Sequence, residues 1–337
     1  MARRLINLAV GLLLGGLFLF YVFHDLDLDG LKSSFARADY LFLLPYAVSV
    51  FGYHCVRILR WHLMLQPLHR FTFGRVFQIA SVGFLSILLL PFRLGELVRP
   101  YLAAERGEVR MSSALATVMV ERSVDGIVLT LLFFLLTANA PFHDNPRIPV
   151  DLTTIGLVAF LLFSVLLVGL ATMVLLGERA ERVAGRVGRV LGERAGQRLA
   201  GLAQSFSEGL AVLRGGGRLG IFLLLTVAYW SINGLGALLL FQAMSETAEL
   251  PWLASYGLMA VLGVAVMIPH LPGFVGAFQV AVFVALLMFD ADISKEGATA
   301  FSFLMQGTII AVQALCGFPF LIMGKVSLSL GRKSDEH

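Results

Sequence analysis

Apolar residues fall in long blocks along this chain, and most charged residues sit in the short connections between them. The blocks lie at 5–23, 40–59, 73–91, 113–138, 152–176, 219–243, 253–270, 272–289 and 297–323, each 18 to 27 residues long. A helix rising 1.5 Å per residue needs about 20 residues to cross a hydrocarbon core of about 30 Å. The pattern predicts an all-α polytopic membrane protein with about seven full transmembrane helices. The remaining blocks, 73–91 and 253–289, contain or border Pro/Gly breaks and require separate treatment.

Lys and Arg in the connections set the orientation. The 57–75 connection carries Arg57, Arg60, Arg70 and Arg75 without an acid, which places it in the cytoplasm. Residues 24–39 hold Asp25, Asp27, Asp29 and Asp39 against Lys32 and Arg37 and read as external. The 177–218 segment, with eight arginines and four glutamates, reads as cytoplasmic. Its arginines at 179, 182, 186 and 189, then 194 and 198, are spaced as one face of an amphipathic helix lying on the anionic inner leaflet. The basic-poor connections 139–151 and 244–252 are then external, and both termini are cytoplasmic.

Parity makes two segments unusual. The 73–91 block starts inside, and so must 113–138, so residues 73–110 enter and leave on one face, bent at Pro91. Residues 253–289 start and end outside, turning at Pro269-His270-Leu271-Pro272-Gly273, although two full spans there satisfy parity as well. Two broken segments entered from opposite faces form the pattern of an inverted-repeat transporter with re-entrant hairpins. Broken backbone at membrane depth persists where protein buries it or where it lines a wet cavity. The chain reads as a single integral membrane domain, 1–337. Its halves are 5–176 (hairpin 73–110) and 219–324 (hairpin 253–289), joined by 177–218 and followed by the tail 325–337.

Charge within the blocks needs a reason, since an ionised side chain at a helix centre costs about 2.5 to 3.5 kcal/mol on insertion scales. The first hairpin carries Arg93, Glu96 and Arg99 at i, i+3 and i+6, close to one helix face. The following block carries Glu121, Arg122 and Asp125, with the two carboxylates at i, i+4. Two readings are compatible. The carboxylates pair with the arginines to pin the hairpin, or they position arginines whose bidentate forks grip a phosphate. At the second break His270, backbone amides and Gln279 offer polarity without charge. Gln306 and Gln313, at i, i+7, face a polar path or bond a neighbouring helix. Gly11 and Gly15 form a GxxxG, read as close helix packing.

Composition narrows the class. With 58% apolar and 14% charged residues, the chain is neither a soluble enzyme nor a disordered segment. The net charge of +4 follows from the positive-inside bias, so no nucleic-acid partner is expected. Cys55 and Cys316 fall in apolar blocks without metal spacing. Arg3 and Arg4 precede an apolar run too long for a signal peptide, which predicts a retained first span. Phosphate-cradling GxxxxGK[ST], HExxH and GxSxG motifs are absent, so no enzyme activity, cofactor or metal is expected.

Pro91-Phe92-Arg93-Leu94-Gly95-Glu96, then Arg99, Glu121-Arg122 and Asp125, resemble the signature of the lysylphosphatidylglycerol synthase transmembrane family. The stretch Pro269 to Gln279 resembles that family's Pro-Gly-Gly-x-Gly-x-x-Glu hairpin. The resemblance spans essentially the whole chain and implies a flippase-like fold with two re-entrant hairpins. Two departures matter: Phe274 replaces the second glycine, and Gln279 stands where glutamate is usual. The chain stops just past its last span, so the soluble transferase domain is not expected, nor its synthase activity.

The function expected is translocation of an amphiphile with an anionic or zwitterionic, phosphate-containing headgroup, a phospholipid or a polyprenyl-phosphate-linked lipid. The site residues expected are Arg93, Glu96, Arg99, Glu121, Arg122, Asp125, Pro272, Gly273, Gly276 and Gln279. The alternative is a lipid-binding scaffold for a partner synthase or glycosyltransferase. Proton coupling, a homodimer and a partner lipid-modifying enzyme all stay open. The location expected is a bacterial cytoplasmic membrane.

Overall fold

The computed structural model describes residues 24, 26–139, 151–176, 179, 182, 185–186, 189, 192–210, 216–265, 274, 276–290 and 292–323, with backbone alone at 91–93, 137–139, 152 and 173–174. Among the described residues all regular structure is helical. The first block, 5–23, with Gly11 and Gly15, lies outside them, as do residues 266–273, where the turn Pro269 to Gly273 is expected. The chain is therefore an all-helical integral membrane protein.

The connection 24–39 holds a helix, α1 (Leu28–Arg37), which starts where the Asp27 carboxylate accepts the amides of Asp29 and Gly30. After a 3₁₀ turn, α2 (Leu43–Leu65) runs well past the end of its apolar block. This corrects the 57–75 connection: Arg57 and Arg60 lie inside a membrane helix, and only Arg70 and Arg75 remain for the orientation argument. Helix α3 (Phe73–Leu89) begins at Thr72, whose hydroxyl caps the Arg75 amide. It ends because Pro91 forces the preceding Leu90 into extended backbone, φ −97°, ψ 134°. A 3₁₀ segment, Pro91–Leu97, and the short α4 (Val98–Ala104) then carry the chain back along α3. Gly95 permits this return, because a Cβ there would stand 2.3 Å from the backbone of Ser86 and Ile87.

Helix α5 (Met111–Asn139), 29 residues long, is the central strut, and α6 (Leu152–Leu176) lies against it. Leu161, Leu162, Val165 and Val168 of α6 are exposed, as a lipid-facing surface requires. The basic segment is split: the positions described from 179 to 189 are helical, Gly192 follows at φ 114°, and α7 (Glu193–Gly209) is a separate helix. The six arginines from 179 to 198 are all exposed. The α7 helix docks on the start of α5, where Arg110 donates to Ser205 Oγ at 3.0 Å. Next come α8 (Gly216–Phe241), α9 (Ser245–Ala248), α10 (Trp252–Ala265), α11 (Ala277–Leu287) and α12 (Lys295–Ile322). Among the described residues four helical segments are long and apolar enough to cross a membrane: 40–65, 153–172, 216–241 and 295–322.

The ends of these helices fall into two groups. At one end Asp39 N–H bonds Ala243 O at 2.8 Å, and Glu246 accepts from Ser34 and Arg37, which gathers α1, the start of α2, the end of α8 and α9. Glu246 and Glu249 share one acidic depression at that end with Asp290 and Asp292, so the segment carrying α10 and α11 leaves and returns there. The opposite end holds the close of α2, the start of α3, the start of α5, and α7. There His62 Nε2 lies 2.9 Å from Phe71 O. Residues 73–110 thus leave from and return to this second end. The main core draws on both halves of the chain, from Tyr46 and Trp61 to Phe241, Leu286 and Phe301.

Candidate functional site

Where α2, α4 and α5 meet, four guanidiniums surround two carboxylates. On α5, Glu121 and Asp125 share a face because they are one helical turn apart. Arg57 and Arg60, at i, i+3 on α2, face them. Arg60 grips Asp125 with both ends of its fork, Nη1–Oδ1 and Nη2–Oδ2 each at 2.7 Å. Its Nη1 also donates to Thr226 Oγ1 on α8 at 3.3 Å, and its Nη2 lies 3.3 Å from Glu121 Oε1. Arg99 reaches from α4 to Glu121 Oε2 at 3.1 Å. Arg57 Nε donates to Glu121 Oε1 at 3.3 Å, and Arg122 Nη2 contacts both Glu121 Oε1 and, at 3.2 Å, Asp125 Oδ2.

Local packing makes room for this cluster. Arg99 passes α3 at Gly83, where a Cβ would lie 2.1 Å from Arg99 Cγ. Its Nε and Nη2 make no hydrogen bond among the described residues, but its guanidinium lies 4.5 Å from the Phe84 ring centre and 5.3 Å from that of Trp61. Rings substitute for acceptors here through their negative faces. Trp61 in turn donates to Thr117 Oγ1 at 3.0 Å, locking α2 to α5.

The four arginines divide by exposure. Arg60 and Arg99 have fully buried side chains, whereas Arg57 and Arg122 retain 13% and 24% of theirs. That division matches a cavity of about 210 Å³, lined by Arg57 and Arg122 and not by Arg60 or Arg99. The first hairpin contributes Phe84, Ile87 and Glu96 to its wall, and the second contributes Phe274 and Phe278. Helix α8 adds Tyr229, Trp230 and Asn233, while α12 adds Gln306 and Gln313. At the wall Arg57 and Arg122 meet Glu96 and Asp125, but the four arginines of the cluster outnumber Glu121, Asp125 and Glu96 by one among the described residues. The cavity therefore favours an anionic group beside Arg57 and Arg122.

Of the expected site residues, Arg99, Glu121, Arg122 and Asp125 come together in the cluster, and Glu96 joins the cavity wall, where its charge acts on Arg122. The Arg93 side chain, Pro272, Gly273 and His270 lie outside the described residues. Gly276, at φ 87°, caps α11, and Gln279 turns back to it, accepting the Gly276 amide at 2.7 Å. Gln279 also donates to Gln306 Oε1 at 2.6 Å. It braces the turn and hands its polarity to Gln306, which lines the cavity. Phe274 has φ 60°, the left-handed region that suits glycine. That backbone explains why a glycine is usual at this position of the hairpin.

Arg57 and Arg60 escaped the sequence reading because the positive-inside bias accounted for them. The signal that locates them is the apolar continuation Ile58, Leu59, Trp61, Leu63, Met64 and Leu65. Among the described residues no group of His, Cys, Asp and Glu is arranged to hold a metal.

No curated protein and no solved structure matches the chain. A family model does: that of the lysylphosphatidylglycerol synthase TM region matches residues 8–317. With nearly its whole length and its buried Arg–Glu–Asp cluster inside that match, the chain belongs to the lysylphosphatidylglycerol synthase transmembrane family.

Proposed function

We propose that this protein is a lipid translocase that passes a phosphate-bearing headgroup through the cavity between its two hairpins, with no chemistry performed on the lipid. The observation that carries this reading is the pair Arg57 and Arg122, partly open to a cavity walled by both halves of the chain. Guanidinium forks bind phosphate oxygens bidentately, and a low-dielectric wall strengthens that attraction. Arg60 and Arg99 are spent inside the protein, holding Asp125 and Glu121 so that these orient the two open arginines.

In this reading residues 73–110 and 253–289 are re-entrant hairpins entered from opposite membrane faces. Two helical arms support it: α3 and α11 have 17 and 11 residues, rises of about 26 and 17 Å, short of a core of about 30 Å. The exposed arginines from 179 to 198 support a cytoplasmic α7 end, with the acidic depression at the other end on the outer side. The first hairpin is then the inner gate and the second the outer gate, as in transporters built from inverted repeats.

Dithionite quenching of acyl-NBD lipids in proteoliposomes tests the reading. Translocation predicts protein-dependent quenching beyond the outer-leaflet half, reduced in Arg57→Gln, Arg93→Ala and Glu96→Ala variants that remain monodisperse in detergent. Quenching equal to that of empty vesicles for every headgroup refutes it, and a stable complex with a lipid-modifying enzyme would then favour a scaffold.

A further inference from the structure

Resting on the translocase reading and its orientation, we infer that α7 is a sensor of anionic lipid. Its open face meets the negatively charged surface of the inner leaflet, and its buried end passes that contact to α5, the helix of Glu121, Arg122 and Asp125.

The open face combines two kinds of residue. Arg194, Arg198 and Leu202 follow at four-residue intervals and Leu199 lies one turn before Leu202, so all four share one broad side of α7. Both arginines are exposed, and Leu199 and Leu202 keep 38% and 54% of their surface open. Guanidiniums beside open leucines suit a headgroup layer above an acyl boundary, with charge held at the phosphates and leucines dipping below. A nucleic acid would engage the guanidiniums alone and leave the leucines in water. The preceding helical positions add to the charge. A Cβ at Gly196 would lie 2.7 Å from Arg189 Cγ and 2.9 Å from Gly185 O, a close approach that sets the exposed Arg186 and Arg189 alongside α7. Helices α6 and α8, both long and apolar enough to cross a membrane, end at Leu176 and begin at Gly216, which tethers the segment at the membrane surface. Each guanidinium close to an anionic leaflet adds about fivefold to membrane affinity.

The other end of α7 is built into the bundle. Gly209 brings it directly onto α5, for a Cβ there would lie 2.2 Å from Ser113 O and 2.6 Å from Ala116 Cβ. Leu210, fully buried, belongs to one apolar cluster with Ala116, Val120 and Val124 of α5, and Phe206 packs against it. Val120 and Val124 immediately precede Glu121 and Asp125, so the seat of α7 and the charged cluster occupy adjoining sides of the same turns of α5. A tilt of α7 therefore moves a rigid helix and the carboxylates that orient Arg57 and Arg122. Leaflet contact holds α7 seated, the arrangement in which both arginines line the cavity.

Hydrogen–deuterium exchange of the full chain tests the contact, in nanodiscs of dioleoyl phosphatidylcholine alone or with about 30% dioleoyl phosphatidylserine. Amides of 193–204 should exchange about tenfold more slowly in the anionic discs, and about 0.5 M NaCl should remove the difference. Arg194→Gln/Arg198→Gln should abolish it with the thermal midpoint in neutral discs unchanged. In matched proteoliposomes the quenching rate of acyl-NBD lipid should rise about fivefold with phosphatidylserine in wild type and stay flat in the double variant. Equal exchange in the two discs overturns the inference. So does a lipid dependence of rate that persists in the double variant, which marks phosphatidylserine acting at the cavity. Protection in neutral discs that requires an added RNA oligonucleotide also overturns it, in favour of a nucleic-acid contact. Protection as inferred, with no protein-dependent quenching in either membrane, overturns the translocase reading and keeps the leaflet contact.

Discussion

Arg60→Leu and Arg57→Leu, three residues apart on α2, should fail in different ways. Arg60 is fully buried and makes two 2.7 Å bonds to Asp125. With charge centres about 4 Å apart and an effective dielectric near 20, their attraction is about 4 kcal/mol. Removing one member of a buried pair costs about 3 to 5 kcal/mol, because the survivor is left buried and uncompensated. Arg60→Leu should therefore lower the thermal midpoint of the detergent-solubilised protein by on the order of 10 °C. The double variant Arg60→Leu/Asp125→Leu should recover much of that loss, since neither charge remains. Arg57 has one hydrogen bond among the described residues, at 3.3 Å, and Glu121 keeps three other arginines when it is removed. Its loss should cost about 1 kcal/mol or less in stability while abolishing transport. Fluorescence-detected thermal melts beside the quenching assay separate the two outcomes. If Arg57→Leu destabilises as much as Arg60→Leu, the cluster is a structural staple and the division into buried and open arginines is refuted.

Three further outcomes follow from the same geometry. Gly95→Ala should lose expression of folded protein in size-exclusion profiles, since its Cβ would meet rigid helix backbone at 2.3 Å. At Phe274, with φ 60°, the glycine variant should melt above the alanine variant by about 1 kcal/mol equivalent, opposite to the order in a helix. Glu246 concerns pH. Burial pushes its carboxyl up, but its own backbone amide with Ser245, Ser34 and Arg37 outweighs this and holds it below the ordinary value of 4.5. Its folded value is the lower one, so its contribution is fully present above 4.5 and is lost as pH falls through that folded value. Melting curves taken downward from neutral pH should show an acid loss in wild type that Glu246→Gln lacks.

Much of the fold is legible in the pattern, because a lipid-facing helix must be apolar all round and Pro91 must end α3. The grouping of Arg99, Glu121, Arg122 and Asp125 is legible as well, since charges that deep demand partners. Arg57 and Arg60 are not. A run of arginines at the end of an apolar block satisfies the orientation bias, and only tertiary contact with α5 shows them inside the bundle. The role of Gln279 is hidden for a similar reason: its side chain serves the Gly276 amide beneath it, a contact set by turn geometry. Asn233 and Gln313 lie 80 residues apart, on α8 and α12, and share a cavity only in the folded chain.

The central claim is that a lipid headgroup occupies the cavity beside Arg57 and Arg122. Photo-crosslinking in proteoliposomes with a phosphatidylglycerol carrying a small headgroup diazirine tests it directly, with adducts mapped by peptide mass spectrometry. The account predicts adducts on cavity residues such as Tyr53, Trp230 and Met305, strongly reduced in Arg57→Gln. Adducts confined to lipid-facing positions such as Leu161 and Val165 of α6, and unchanged in that variant, would contradict it.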